Sequence, residues 1–190
     1  GAFDRDPAWS PDGKQIAFWS DRSGEYEIYL QAADGATPAR KLSSRGKGYG
    51  YTLNWSPDSK KIAFIDQKND VSVIDTETGV TTVAGNNRWD LSHGGRPGYP
   101  ISWSPDSKWI AFTQGLDNAN NAIFLYNLEE KKAYQATNGY YDDGYPVFSR
   151  DGKHLFYLTN RNMDALYSGL GDGTWVYPNT TQIVALSLTK

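Results

Sequence analysis

The sequence predicts an all-β fold, a partial β-propeller of four blades whose last blade lacks its outer strand. Three observations carry this: one hairpin motif occurs four times, the copies are evenly spaced, and the strands leaving them are apolar on both faces. The copies read AWSPDGKQIAF from Ala8, NWSPDSKKIAF from Asn54, ISWSPDSKWIAF from Ile101 and VFSRDGKHLFY from Val147. Their aromatic anchors, Trp9, Trp55, Trp103 and Phe148, recur after 46, 48 and 45 residues, the range in which one repeat makes one four-stranded blade.

Each copy reads as strand, turn and strand. In Ser-Pro-Asp-Gly and Ser-Pro-Asp-Ser the proline fixes φ at the second turn position, and Asp followed by Gly or Ser suits the rest of a type I turn. That makes Asp12, Asp58, Asp106 and Asp151 the turn residues of the repeat. The chain then leaves on strands such as 15–20 and 109–113. A sheet with one wet face would alternate polar and apolar residues, so these runs expect cover on both faces, as stacked blades provide. Ala17, Ala63 and Ala111 are expected to let neighbouring sheets approach closely, with Phe156 in that place in the fourth copy. The recurring aromatics are expected to hold adjacent blades together.

In chain order, blade one covers about 1–44. Gly1 to Asp6 reads as an irregular lead-in, followed by the hairpin, a turn at Asp21-Arg22-Ser23-Gly24, a third strand over 26–32, a turn at Asp34-Gly35 and an outer strand over 39–43. Blade two, about 45–90, repeats the plan with strands over 71–75 and 80–84. A glycine-rich stretch, NNRWDLSHGGRPGY from Asn86, then lengthens the connection; long loops of this kind can carry function. Blade three, about 91–138, has its last strands over 122–128 and 133–137. Blade four, about 139–190, replaces a short turn by a long insertion over 160–181 before a third strand over 182–188.

Composition narrows the partners. The 190 residues are 38% hydrophobic and 14% aromatic, ordinary for a packed domain, and the net charge of -3 offers no basic field for nucleic acid or anionic lipid. No stretch has the length of a membrane span. The absence of cysteine suits a reducing cytoplasm and a Gram-negative envelope equally, so localisation stays open between cytoplasmic and exported.

Candidate chemistry is sparse. Nucleophilic catalysis needs a serine, a base and an orienting group, and there are only two histidines. His154 holds the strand position of Gln15, Lys61 and Trp109. Ser92-His93-Gly94-Gly95 is similar to an oxyanion loop, but no Gly-x-Ser-x-Gly elbow accompanies it. Asp4, Asp6, Asp142 and Asp143 lack the spacing of a calcium loop and read as solvated turn residues. No catalytic residue, metal ligand or cofactor site is expected. The off-period residues Trp89, His93, Arg96, Tyr140, Tyr141, Trp175 and Tyr177 read either as a rim that binds peptide or a protein partner, or as cover for sheet ends.

The Trp-Ser-Pro-Asp-Gly/Ser-Lys repeats resemble those of the propellers in TolB and the tricorn proteases. SWSPDSKWIAF, AIFLYNLEEKK, YPVFSRDGKHLFYLTNRN and YPNTTQIVALSL are similar to the end of the seven-bladed propeller that precedes the catalytic part of bacterial tricorn homologues. That resemblance implies a non-catalytic module of a tricorn-like serine peptidase, gating or channelling peptide to an active site elsewhere. No catalytic position of the family falls on this sequence. The alternatives are a TolB-like envelope scaffold that binds partner proteins, and a propeller attached to an α/β-hydrolase. Four blades of a wider ring would leave two apolar faces open. The parent propeller's missing blades would cover them, and in the isolated chain a homodimer is expected.

Overall fold

A computed structural model describes residues 1–87, 99–161 and 181–189, together with the backbone of two short strands at Leu166–Tyr167 and Trp175–Val176. The described residues form antiparallel sheets and no helix. The first blade runs β1 (Asp4–Trp9), β2 (Gln15–Ser20), β3 (Glu27–Ala32) and β4 (Arg40–Lys41) as a meander in sequence order. The second is β5 (Asn54–Trp55), β6 (Lys61–Ile65), β7 (Asp70–Asp75) and β8 (Thr81–Asn86), and the third is β9 (Ile101–Trp103), β10 (Trp109–Gly115), β11 (Asn121–Asn127) and β12 (Lys132–Gln135). In the fourth, β13 (Asp143–Phe148), β14 (His154–Thr159) and β17 (Gln182–Ser187) make a three-stranded sheet. Within the 160–181 insertion, β15 (Leu166–Tyr167) and β16 (Trp175–Val176) pair with each other, a hairpin the sequence pattern does not announce.

The repeated turn is closed by two sets of bonds. The amides of Gly13, Ser59, Ser107 and Gly152 donate to the carbonyls of Ser10, Ser56, Ser104 and Ser149 at 2.9–3.0 Å. Inside each turn the serine hydroxyl donates to the aspartate at 2.6–2.7 Å, and the following lysine amide donates to the same carboxylate oxygen at 3.0–3.1 Å. The serine of the motif works with its aspartate: its hydroxyl ties the carboxylate to the turn and also accepts the amide five residues on, from Gln15, Lys61, Trp109 and His154, at 2.9–3.0 Å.

Three apolar clusters lie between consecutive blades. The first joins Ala17, Trp19, Ile28 and Leu30 to Trp55, Ile62 and Phe64, the second joins Ala63, Ile65 and Val73 to Ile110 and Phe112, and the third joins Ala111 and Ile123 to Leu155 and Tyr157. Ala17, Ala63 and Ala111 are completely buried, as close sheet-on-sheet approach requires. Among the described residues no such cluster joins blade four to blade one, so the blades form an arc. At its far end Phe156, in the alanine position, is 41% exposed and Ile183 is 76% exposed.

Two expectations change. The lead-in is not irregular: β1 begins at Asp4, pairs Asp4 with Ser20, and bulges between Arg5 and Ala8, where Asp6 takes φ 51°. The equivalent bulge in β13 puts Tyr145 at φ 56°. A bulge breaks the two-residue alternation, which hides the strand from a periodicity reading. The second concerns Trp9. The indoles of Trp55 and Trp103 donate to the carbonyls of Ala8 and Asn54, each in the blade before, at 3.0 Å. Trp9 is 60% exposed and among the described residues its indole makes no bond of this kind.

Candidate functional site

The chemistry of the arc collects where the inner strands begin. In blade one, Arg5 on the β1 bulge packs its guanidinium over Tyr49 (4.2 Å), Tyr26 (4.8 Å) and Trp19 (5.9 Å), donates to the carbonyl of Gly50 at 2.6 Å and pairs with Asp6. Arg45 lies over Trp19 (5.1 Å) and Phe64 (5.0 Å) and pairs with Asp66 at 3.0 Å. A cleft of 480 Å³ beside Arg5 is lined by Asp6, Ala8, Tyr49, Tyr51 and Leu53. The nearby carboxylate of Glu27 is almost fully buried and fully partnered, by the Ser43 hydroxyl, the amides of Arg45 and Gly46, and Lys41. These stacked arginines weld blade one to blade two.

The corresponding end of blade four is different. Tyr140 is 74% exposed and stacks edge-on against Tyr141 with ring centres 5.0 Å apart. Arg161 lies over Tyr141 (5.3 Å) and Tyr157 (5.8 Å), donates from Nη2 to the Tyr157 hydroxyl at 2.8 Å and from Nε to the Thr159 hydroxyl at 3.2 Å. Asp142 accepts from the amide and side chain of Asn121. Asp143 is only 1% exposed, and neither carboxylate oxygen has a hydrogen-bond partner. The Thr113 hydroxyl, also buried and unpartnered, sits where a side chain on Gly144 would meet it at 3.8 Å. Burial pushes the Tyr157 phenol up; Arg161 opposes that and Asp143 adds to it.

The expected site residues thus divide. Tyr140 and Tyr141 come together with Arg161 at the inner end of blade four. Trp175 is known here only as a strand residue opposite Tyr167. Trp89, His93, Arg96 and Tyr177 lie outside the described residues. His154 opens β14 opposite Ser187, a strand position, with its ring near Phe156. Asp143 is a correction: it is a buried strand residue and not a solvated turn aspartate, because blade three packs against β13, whereas the matching Asp4, which precedes the same bulge without such cover, is exposed. Among the described residues no group of three or more acidic, histidine or cysteine side chains is arranged to hold a metal.

Sequence reasoning missed the arginines. Their signal is an offset: Asp4 and Asp143 stand five residues before their blade's aromatic anchor, and Arg22 and Arg161 thirteen after it. In blade one the pair is closed, with Arg22 Nη2 donating to both Asp4 oxygens at 2.8–2.9 Å and Nε to the Ser20 hydroxyl at 2.9 Å. The Ser20 hydroxyl and Arg22 hold the Asp4 carboxyl below its ordinary value.

Blades of this repeat, packed face to face and linked by indole bonds from one blade to the one before, define a β-propeller of the tricorn and TolB type. The family model described as the tricorn protease second beta propeller domain matches residues 1–190, and the chain belongs to that family. It is 29% identical over 156 residues to the uncharacterized peptidase YuxL of Bacillus subtilis, covering 82% of this chain and 22% of that protein. To tricorn protease homolog 1 of Streptomyces coelicolor it is 28% identical over 160 residues, covering 82% of this chain and 14% of that protein. The chain therefore spans about a fifth or less of the curated relatives it matches. The crystal structure of the tricorn protease superposes with a TM-score of 0.78 over 93% of this chain and 17% of that one, at 20% identity. TolB from Acinetobacter baumannii gives a TM-score of 0.58 over 97% and 43%, at 21% identity. At such identities these two structures speak to the fold alone.

Proposed function

We propose that this chain is a non-catalytic propeller module of a tricorn-like serine peptidase, which gates or channels peptide to an active site carried elsewhere in the parent protein. The observation that carries the reading is the Tyr140–Tyr141 pair at the inner end of blade four, with Tyr140 exposed and Tyr141 half-buried beside it, in a chain that belongs to a peptidase propeller family. Large aromatic faces beside polar groups are what a peptide-contacting surface uses. Fluorescence titration with a labelled unstructured peptide tests it. Saturable binding should be lost in Tyr140→Ser/Tyr141→Ser with the melting temperature unchanged, and no peptide should be hydrolysed. Binding that is indifferent to both tyrosines would oppose the reading, as would turnover that survives purification and disappears in His93→Ala.

The exposed end faces support a role in assembly. Trp9 at one end and Phe156 and Ile183 at the other are apolar residues in the positions that elsewhere pack blade on blade. We assign these faces to further blades of the parent propeller and, in the isolated chain, to a second copy across a two-fold axis. Light scattering at micromolar concentration should give twice 21.2 kDa. The second reading, a partner-binding scaffold without a peptidase, draws on the likeness to TolB. Serine-peptidase segments encoded in the same reading frame favour the first reading, and their absence favours the second.

A further inference from the structure

We propose that the face of Tyr141 is a binding site for a basic side chain of a peptide, and that Arg161 is its displaceable occupant, turning onto Asp143 when the ligand arrives. The inference rests on the peptide-binding reading above and names the chemistry of the ligand.

A buried carboxylate without a partner is costly, and structures satisfy it with a cation, a donor or water. Asp143 is such a group, and it shares a sheet face with Thr159, its cross-strand partner, and with Tyr157. The chain itself shows how the position is satisfied. Asp4 and Ser20 are cross-strand partners in blade one as Asp143 and Thr159 are in blade four, and there Arg22 closes on the aspartate while its Nε donates to the serine. Arg161 makes the same Nε bond to Thr159, so its guanidinium is pinned within reach of the same alternative.

The two blades differ in burial, Asp4 being exposed where Asp143 is not, and in what surrounds the arginine. Arg22 lies over Tyr29 and Phe18, with Ala2 in the place of Tyr141, whereas Tyr157, at the position matching Phe18, takes the Nη2 of Arg161 at 2.8 Å. The Tyr157 hydroxyl and the Tyr141 ring thus compete with Asp143 for one guanidinium. A second cation arriving over Tyr141, with the Asp142 carboxylate beside it, would meet Arg161 in its place. Repulsion between the two cations is relieved when Arg161 moves to the waiting carboxylate, so the vacant acid lowers the cost of exchange.

An NMR titration of the whole chain tests this with two capped tripeptides, acetyl-Gly-Arg-Gly-amide and the same peptide with norleucine. The arginine peptide should bind about five- to tenfold tighter, the size of a partly exposed cation–aromatic contact. Asp143→Asn should weaken the arginine peptide alone. Arg161→Ala removes the competitor and should tighten it, as should Tyr157→Phe, which recreates the blade-one neighbour and frees Arg161 to sit on Asp143 beforehand. Because a buried substitution can unfold the blade, each variant is first compared with wild type by thermal melting, and Arg161→Ala and Tyr157→Phe stand without Asp143→Asn. Weaker binding in Arg161→Ala would overturn the exchange, as would equal affinity for the two peptides. A wild type that binds neither peptide would overturn the peptide-binding reading itself.

Discussion

The tryptophan ladder makes a quantitative prediction, because Trp55 and Trp103 each bond to the blade before while Trp9 makes no such bond among the described residues. Trp55→Phe deletes the indole bond to the Ala8 carbonyl, worth a net ~1 kcal/mol. It also uncovers about 40 Å² of pyrrole surface, another ~1 kcal/mol at 25 cal/mol per Å². The sum is about 2 kcal/mol, and Trp103→Phe, which loses the bond to Asn54, should match it. Trp9→Phe, at a 60% exposed position, should cost less than about 0.5 kcal/mol. Urea denaturation of the three variants, repeated across a dilution series, reads all of this. If Trp9→Phe costs as much as Trp55→Phe at the lowest concentration, the first face is covered within one chain and the open arc is wrong. If its cost grows with concentration, a second copy is covering it.

Three further predictions concern the repeat and its seams. Ser10 and the Lys14 amide hold the Asp12 carboxyl low, as Ser149 and the Lys153 amide do for Asp151; at Asp58 and Asp106 burial opposes ionisation but the equivalent serine and amide bonds outweigh it. Each aspartate binds its proton more weakly folded than unfolded, so its stabilisation is complete above the ordinary value of 3.8 and lost as pH falls through the folded values; acid unfolding should begin there and be blunted in a variant with all four replaced by Asn. Gly50→Ala places a methyl 2.1 Å from the Trp19 ring, which is completely buried between blades, and should cost about 2 kcal/mol or more by overpacking, seen in the same urea assay. Ser107→Ala removes the hydroxyl that accepts the Asp58 amide across the blade junction and should cost about 1 kcal/mol, as should Asp58→Ala inside the turn; Trp103→Ala should exceed both, at roughly 3 to 5 kcal/mol.

The repeat was legible because a turn with four constrained positions writes itself into any blade that uses it, and the apolar strands beside it carry no competing pattern. The bulged strands β1 and β13 were not legible, since Asp6-Pro7 and Tyr145-Pro146 look like loop and break alternation at the point where the strand bends. The exposure of Trp9 could not be read either. Its sequence context is that of Trp55, and what differs is a neighbouring blade. The candidate site was half visible: Tyr140 and Tyr141 stand out as off-period aromatics, but Asp143 and Arg161 acquire meaning only when β13 and β14 pair and place them as Asp4 and Arg22 are placed.

The lost polar links of the repeat fall together, at the junction between blades three and four. Elsewhere that junction has two polar links: an indole bond to the previous blade, and a turn amide donating to the serine hydroxyl of the next turn, as Asp12 does to Ser59 and Asp58 to Ser107 at 3.1 Å. Here Phe148 has no indole and Gly152 has no hydroxyl. The replacement link runs from the Phe148 amide to the Ser102 hydroxyl at 3.0 Å. A groove of 480 Å³ opens between the turns, with Trp109, Leu125, Phe148 and Leu188 as its floor. The same junction encloses the unpartnered Asp143 and Thr113. A seam with fewer fixed bonds can change shape at lower cost than its neighbours. In a module whose proposed work is to let peptide pass, the seam that has lost its repeat contacts is the one free to respond to a ligand, while the two bolted seams keep the arc in register.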